Sequence, residues 1–236
     1  MATIQPLSYS GYRFPVLIIS HCTWLYFRFA LSYRDVAEMV AERGVTELRN
    51  DPRVVSEVRR DVCQADAFER HRLGDRWHLD EVFLTINRKL QYLWRAVDQD
   101  GDVLDILVQP RRNKKAAKKF FRKLLKGLQY VPRAIVTDKL RSYAAAMAEV
   151  MPSVEHQQQG RQNNRAENSH QPTRERERRM RGFKSPGHAQ RFLSIFGVVA
   201  SFFRPGRHLL AAKNYREIMR RRFTQCREIV GLQPAI

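Results

Sequence analysis

The sequence is short of acid, short of cysteine and nearly without long apolar runs. Only 24 Asp and Glu stand against 43 Lys and Arg, a formal charge of +19. A folded surface with that excess repels itself, and far less charge would keep it in solution. A polyanion is the simplest partner. Nucleic acid suits better than a membrane surface, because the basic residues run through the chain instead of lining one amphipathic helix. Three cysteines, Cys22, Cys63 and Cys226, are too few and too scattered for a disulfide framework or a zinc knuckle. A reducing, cytoplasmic setting is therefore expected. Residues 14–31 (FPVLIISHCTWLYFRFAL) form the one long apolar stretch. It carries His21 and Arg28 and is barely long enough to span a bilayer, so it reads as a buried helix and no membrane partner is expected. What remains is a globular composition, 43% hydrophobic over 236 residues, enough for a real core in one or two domains.

Pro15 opens a first helix running to about Phe29. Ser32, with Asp35 three residues on, starts a second, which Gly44 stops. Two short helices of this kind suit the first part of a helix-turn-helix, or an ordinary helical hairpin. A third helix should follow, yet residues 47–72 are charged, contain Pro52 and show only weak helical periodicity. From Arg76 the texture changes. WHLDEVFLTI, KLQYLWRAVDQ and DVLDILVQP read as three strands, with turns at Asn87 and at 98–102, hence an antiparallel meander. NKKAAKKFFRKLLKGL follows as a helix, apolar along Phe120, Phe121, Leu124, Leu125 and Leu128 and basic along Lys115, Lys118, Lys119, Arg122 and Lys126. A strand RAIVTD, a helix near Arg141–Val150, a brief strand near Val154–His156 and a polar helix carrying Glu167 come next. Ser185-Pro186 starts a last helix that turns Phe192, Leu193 and Phe196 inward. The order βββ-α-β-α-β-α is that of an RNase H-like, retroviral integrase-like α/β core, preceded by a small helical region.

Asp80 lies in the first strand among apolar neighbours, and Asp138 closes the fourth strand. If the first strand is central, the fourth pairs beside it and the two carboxylates meet, with Glu167 on a later helix able to cover them. Three converging carboxylates repel unless a cation joins them. Mg²⁺ suits few protein ligands plus phosphate oxygens. Two such ions about 4 Å apart stabilise the attacking and leaving oxygens of a displacement at phosphorus. A lone Asp at a strand end is more often a turn or cap residue, and a lone Glu on a polar helix is more often solvated. Asp98, Asp100 and Asp102 read as turn formers. Glu81 should point away from Asp80 by strand alternation, which disfavours it as a ligand. His78 shares the Asp80 side and reads as a structural histidine, and Trp77 and Trp94 as core aromatics.

WHLDE (77–81), YLWRAVD (92–98), RRNKKAAKKFF (111–121), IVTDK (135–139), NNRAEN (163–168) and RGFKSP (181–186) together resemble a bacterial insertion-sequence DDE transposase of the IS-six family. The resemblance covers about residues 10–46 and 76–205. It implies that Asp80, Asp138 and Glu167 are the catalytic residues and the ligands of Mg²⁺, with Mn²⁺ as a substitute. It places Arg174, seven positions after Glu167, where a basic residue holds DNA. Lys139 and Asn164 adjoin the ligands and are placed to position phosphate, and Arg178 is counted with these DNA-binding residues. The implied partners are terminal inverted repeats, target DNA and further copies of the chain, in a bacterial, nucleoid-associated setting. The implied regions are a helical DNA-binding part at 1–72, the catalytic domain at 73–205 and a basic helical tail at 206–236. Arg220, Arg221 and Arg222 in that tail read as a solvated face.

Two departures from the family pattern stand out. The 28 residues between Asp138 and Glu167 make a shorter gap than in the best-known members. And where relatives carry a recognition-helix segment resembling SYETIRRWCLKFG, this chain has ELRNDPRVVSEVRR. One codon choice for that stretch, read one nucleotide later, spells the family motif for over a dozen codons. Residues 47–72 are thus expected to be translated out of frame, with the third helix disrupted. Besides a transposase, an RNase H-like nuclease or integrase and a non-catalytic basic DNA-binding protein fit the same residues.

Overall fold

In a computed structural model the described residues are 16–45, 74–138, 140–158, 169–203 and 210–229. The anomalous stretch 47–72 lies outside them. The chain divides into two compact units, one of residues 1–71 and 198–236, the other of residues 72–197.

In the first unit, α1 (Val16–Arg28) and α2 (Tyr33–Ala41) form a hairpin. The capping box expected from Ser32 and Asp35 is present. Asp35 N donates to Ser32 Oγ at 3.1 Å and Ser32 N to Asp35 Oδ2 at 2.7 Å, so two otherwise orphaned amides are satisfied. Val36 and Val40 face inward, and Gly44 ends the helix at a φ of +83° that a side chain would resist. Cys22, Leu25, Tyr26 and Phe27 bury the inner side of α1. At 13 residues α1 is too short to span a bilayer, and no helix among the described residues is long and apolar enough to do so. The last helix, here α7 (Ala212–Ile229), meets α1 where Phe223 packs edge-on against Trp24. Arg220 and Arg221 are exposed there, whereas Arg222 donates to the carbonyl of Phe202 and so is not simply solvated.

The second unit is built on a five-stranded sheet, β1 (Arg76–Ile86), β2 (Lys89–Val97), β3 (Val103–Gln109), β4 (Ala134–Thr137) and β5 (Glu155–Gln158). The order is β3-β2-β1-β4-β5, with β1, β2 and β3 antiparallel and β4 and β5 parallel to β1. That is the RNase H-like arrangement the element order implied. The β1–β2 turn is two residues long, Asn87 and Arg88, both at left-handed φ, the geometry that matches the twist of a tight hairpin. Asp98 organises the next turn by accepting from the amides of Asp100 and Asp102, each at 2.9 Å.

Two helices cover one face. Asn113 caps α3 (Lys114–Leu128) through its side-chain oxygen, and α4 (Arg141–Val150) packs beside it. Trp77, Leu79, Trp94, Phe120, Phe121, Leu124, Ile135 and Tyr143 are fully buried between these helices and the sheet. The inner stripe of α3 is shifted from the expected one. Ala116 and Ala117 are buried, while Leu125 and Leu128 lie at its margin. Small residues let the start of α3 approach the sheet closely. On the opposite face lie α5 (Gln171–Arg179) and the part of α6 (Pro186–Phe203) that belongs to this unit, up to Gly197. Ser185 caps α6 through His188 N at 3.1 Å, and Phe192, Leu193 and Phe196 are buried as the sequence indicated. Gln190 of α6 accepts from Val108 N at 2.8 Å, satisfying part of the open edge of β3.

Candidate metal centre

The register of β1 and β4 creates the site. Their pairing ends at Leu79 opposite Thr137, and the next residue on each strand is an aspartate, Asp80 and Asp138. β4 stops there, whereas β1 runs on because β2 still pairs with it, Asp80 facing Arg95. Oxygens of Asp80, Asp138 and Glu81 lie within 4.8 Å of one another, and these three are the group of possible metal ligands found among the described residues.

Glu81 is the third member of this group. It does leave β1 on the opposite face from Asp80, but beyond Leu79 no β4 residue pairs with β1. The open edge lets both carboxylates approach Asp138. Glu81 is nearly inaccessible, and both of its oxygens are engaged. Tyr143 donates to Oε2 at 2.6 Å and Arg112 Nε donates to Oε1. Burial pushes the Glu81 carboxyl up from the ordinary range. The Tyr143 hydrogen bond pulls it back, the Asp138 charge raises it again, and Arg112 opposes that. Tyr143, fully buried beside Glu81, is held far above the usual phenol range by burial first and by the Glu81 charge second.

Asp138 is fixed by its own loop. Its Oδ1 accepts from Leu140 N at 3.0 Å, and Arg112 Nη2 reaches Oδ2 at 3.3 Å. Asp80 is approached from the other face by His170, whose Nε2 lies 3.2 Å from Oδ2. His170 is 3% exposed; burial lowers its pKa, and the nearby Asp80 carboxylate draws it back up. Its neighbour across the strand, Arg95, is buried, its pKa pushed down to about 10 by desolvation, and donates to Thr173 Oγ1 at 2.8 Å. That bond ties α5 to β2. Arg112 lies in the RRNKKAAKKFF motif, but neither its approach to the carboxylates nor that of His170 shows in the periodicity of the sequence. His78 is buried on the Asp80 side of β1 but is not among the grouped ligands.

Of the other residues singled out from the sequence, Arg174 and Arg178 stand exposed on α5, one turn apart. Lys139, Asn164 and Glu167 lie outside the described residues. Among the described residues, the three grouped donors are carboxylate oxygens. That set fits a hard divalent cation such as Mg²⁺ or Mn²⁺ and not a thiolate- or imidazole-seeking metal.

A family model described as a DDE domain, of the IS240 transposase type, matches residues 74–205, more than half of the chain. Among curated proteins, the transposase for insertion sequence-like element IS431mec of Staphylococcus aureus is 33% identical over 135 residues, which cover 57% of this chain and 60% of that protein. The transposase for insertion sequence element IS257 in transposon Tn4003, also of Staphylococcus aureus, matches to the same extent. The chain thus spans about 60% of the length of these relatives. Among solved structures, the catalytic domain of Mos1 mariner transposase is 12% identical, with a TM-score of 0.37, over 78% of this chain and 95% of that one. On the family match and the two insertion-sequence relatives, the chain belongs to the DDE-domain family of IS-six-type insertion-sequence transposases.

Proposed function

We propose that this chain is a DNA transposase that cleaves and joins strands at the ends of an insertion sequence, with Asp80 and Asp138 as metal ligands and Glu167 as the third. One observation carries the reading. In a chain of this family, two aspartates occupy the first positions beyond the paired part of adjacent parallel strands. When bound, Mg²⁺, or Mn²⁺ in its place, stabilises the charge that develops on the oxygens around phosphorus. The protein's part is to hold those ligands still. The Leu140 amide fixes one oxygen of Asp138, and His170 approaches Asp80 from α5.

Arg174 and Arg178 offer two exposed guanidinium groups on one side of α5, the spacing for successive backbone phosphates, and Lys139 and Asn164 serve the same end. The partners are the element's terminal inverted repeats and target DNA, and the working form contains more than one copy of the chain. Residues 1–72 would form a helical DNA-binding part whose third helix is disrupted at 47–72, so that end recognition is weakened, with the chemistry in 73–205 and a basic tail in 206–236. Such a protein works in the bacterial cytoplasm, at the nucleoid.

The test is a labelled duplex ending in the repeat that flanks its own coding region, incubated with the full chain, supercoiled plasmid and Mg²⁺. Joining of the label to plasmid is expected, and chelation should stop it. Nicking without joining would make the protein a nuclease. Salt-sensitive binding with no cleavage in Mg²⁺ or Mn²⁺ would make it a DNA-binding protein only.

A further inference from the structure

The residues tied to the site but not assigned to it are Arg112, Glu81 and Tyr143. Glu81 is a buried carboxylate, and a buried charge is tolerated only when its oxygens are compensated. Both are: Tyr143 holds one and Arg112 Nε holds the other. Tyr143 is itself packed against Trp94 and Phe121 in the core, so the acceptor presented to Arg112 is rigid. The guanidinium also lies over the Phe83 ring, 5.8 Å from its centroid. One edge and one face are therefore fixed. The remaining Nη edge points at Asp138, with Nη2 3.3 Å from Oδ2, and the side chain is about one-third exposed.

We propose that Arg112 is a phosphate-binding residue of the DNA-cutting site, and that Glu81 and Tyr143 are positioning residues acting through it. The proposal rests on the reading of Asp80 and Asp138 as a metal centre. Without DNA, the Nη edge of Arg112 neutralises Asp138 and competes with a cation for it. With DNA, that edge turns to a non-bridging phosphate oxygen and leaves Asp138 to the metal. A fork with its Nε already engaged has two Nη groups left, which match the two free oxygens of a phosphodiester. The 3.3 Å contact to a part-exposed carboxylate is long enough to be exchanged cheaply. The Glu81 contact is buried and is kept. Glu81 therefore does not act as a ligand, because a cation there would have to displace both Arg112 and Tyr143.

The two roles of Arg112 have opposite consequences, which separates them from a merely structural part. In the full chain, Arg112→Gln should bind Mn²⁺ about fivefold more tightly, read from the free-ion paramagnetic resonance signal, because a competing cation is gone. The same variant should join strands about 100-fold more slowly at saturating DNA, because a phosphate donor is gone. Arg112→Lys keeps a charge beside Glu81 and so guards against a folding defect, but it cannot hold Glu81 and present a fork; its strand transfer should stay low. Glu81→Gln should slow transfer too, and Glu81→Gln with Arg112→Gln should be no slower than Arg112→Gln alone. An Arg112→Gln protein that binds Mn²⁺ no more tightly than the parent, or an Arg112→Lys protein that transfers at the parental rate, overturns the proposal. Mn²⁺ binding by the parent that Asp138→Asn fails to weaken would instead remove the metal centre itself.

Discussion

Asp138→Asn is expected to lower Mg²⁺-dependent strand transfer by about 10³-fold or more while leaving the protein folded. The side chain keeps its shape, and an asparagine oxygen can still accept from the Leu140 amide, so the turn that follows β4 persists. What is lost is the negative charge that makes the oxygen a ligand for a hard cation. Asp138 is about one-third exposed, so its neutral form costs little to accommodate. Gel analysis of labelled end DNA joined to plasmid reads the activity, and a thermal melt within a few degrees of the parent shows the fold is intact. A variant that melts normally and still joins strands at more than a tenth of the parental rate would show that Asp138 holds no essential ion.

The second large effect concerns the support beneath the site. Trp94 is completely buried, its ring edge-on to Tyr143 with centroids 5.4 Å apart, and its Nε1 finds no hydrogen-bond partner among the described residues. Trp94→Ala would leave a cavity at the centre of the larger core and cost about 3–5 kcal/mol, a large share of the roughly 5–15 kcal/mol by which domains are stable. Trp94→Phe should cost no more than about 1–2 kcal/mol. It removes volume but also removes an unsatisfied buried donor, and these partly cancel. Urea denaturation of both variants measures the difference. Equal destabilisation by the two substitutions would mean that the indole N–H carries a bond the core needs.

The sequence made the two aspartates legible for a definite reason. Three strands, a helix and a fourth strand leave few topologies, and with β1 central the end of AIVT must fall beside WHL. The caps were equally readable, since Ser32 with Asp35 and Ser185 with Pro186 are local chemistry needing no tertiary context. Strand alternation put Glu81 on the face away from Asp80 correctly, but it gives no sign that Glu81 still comes close to Asp138 past the end of β4. Arg112 stood within a family motif, but its contact with Glu81 and Asp138 was not legible, because it depends on a loop whose path is set by the Asn113 cap and the close approach of Ala116 and Ala117. His170 was invisible because only tertiary packing of α5, held by Arg95 and Thr173, brings it to Asp80. Periodicity along α3 gave the right face but overestimated Leu125 and Leu128, since the two alanines let its first turns sink deepest.

If Asp80 and Asp138 hold a divalent ion between them, local oxidative cleavage will report where it sits. Fe²⁺ takes the same oxygen donors, and with ascorbate and peroxide it cuts the backbone close to where it sits. The full chain should yield fragments ending near residues 80 and 138, both suppressed by excess Mg²⁺ and both lost in Asp138→Asn. A further cut near 167 would add Glu167 to the ligands. Cleavage elsewhere, with neither the 80 nor the 138 fragment formed, would show that the two aspartates hold no ion together.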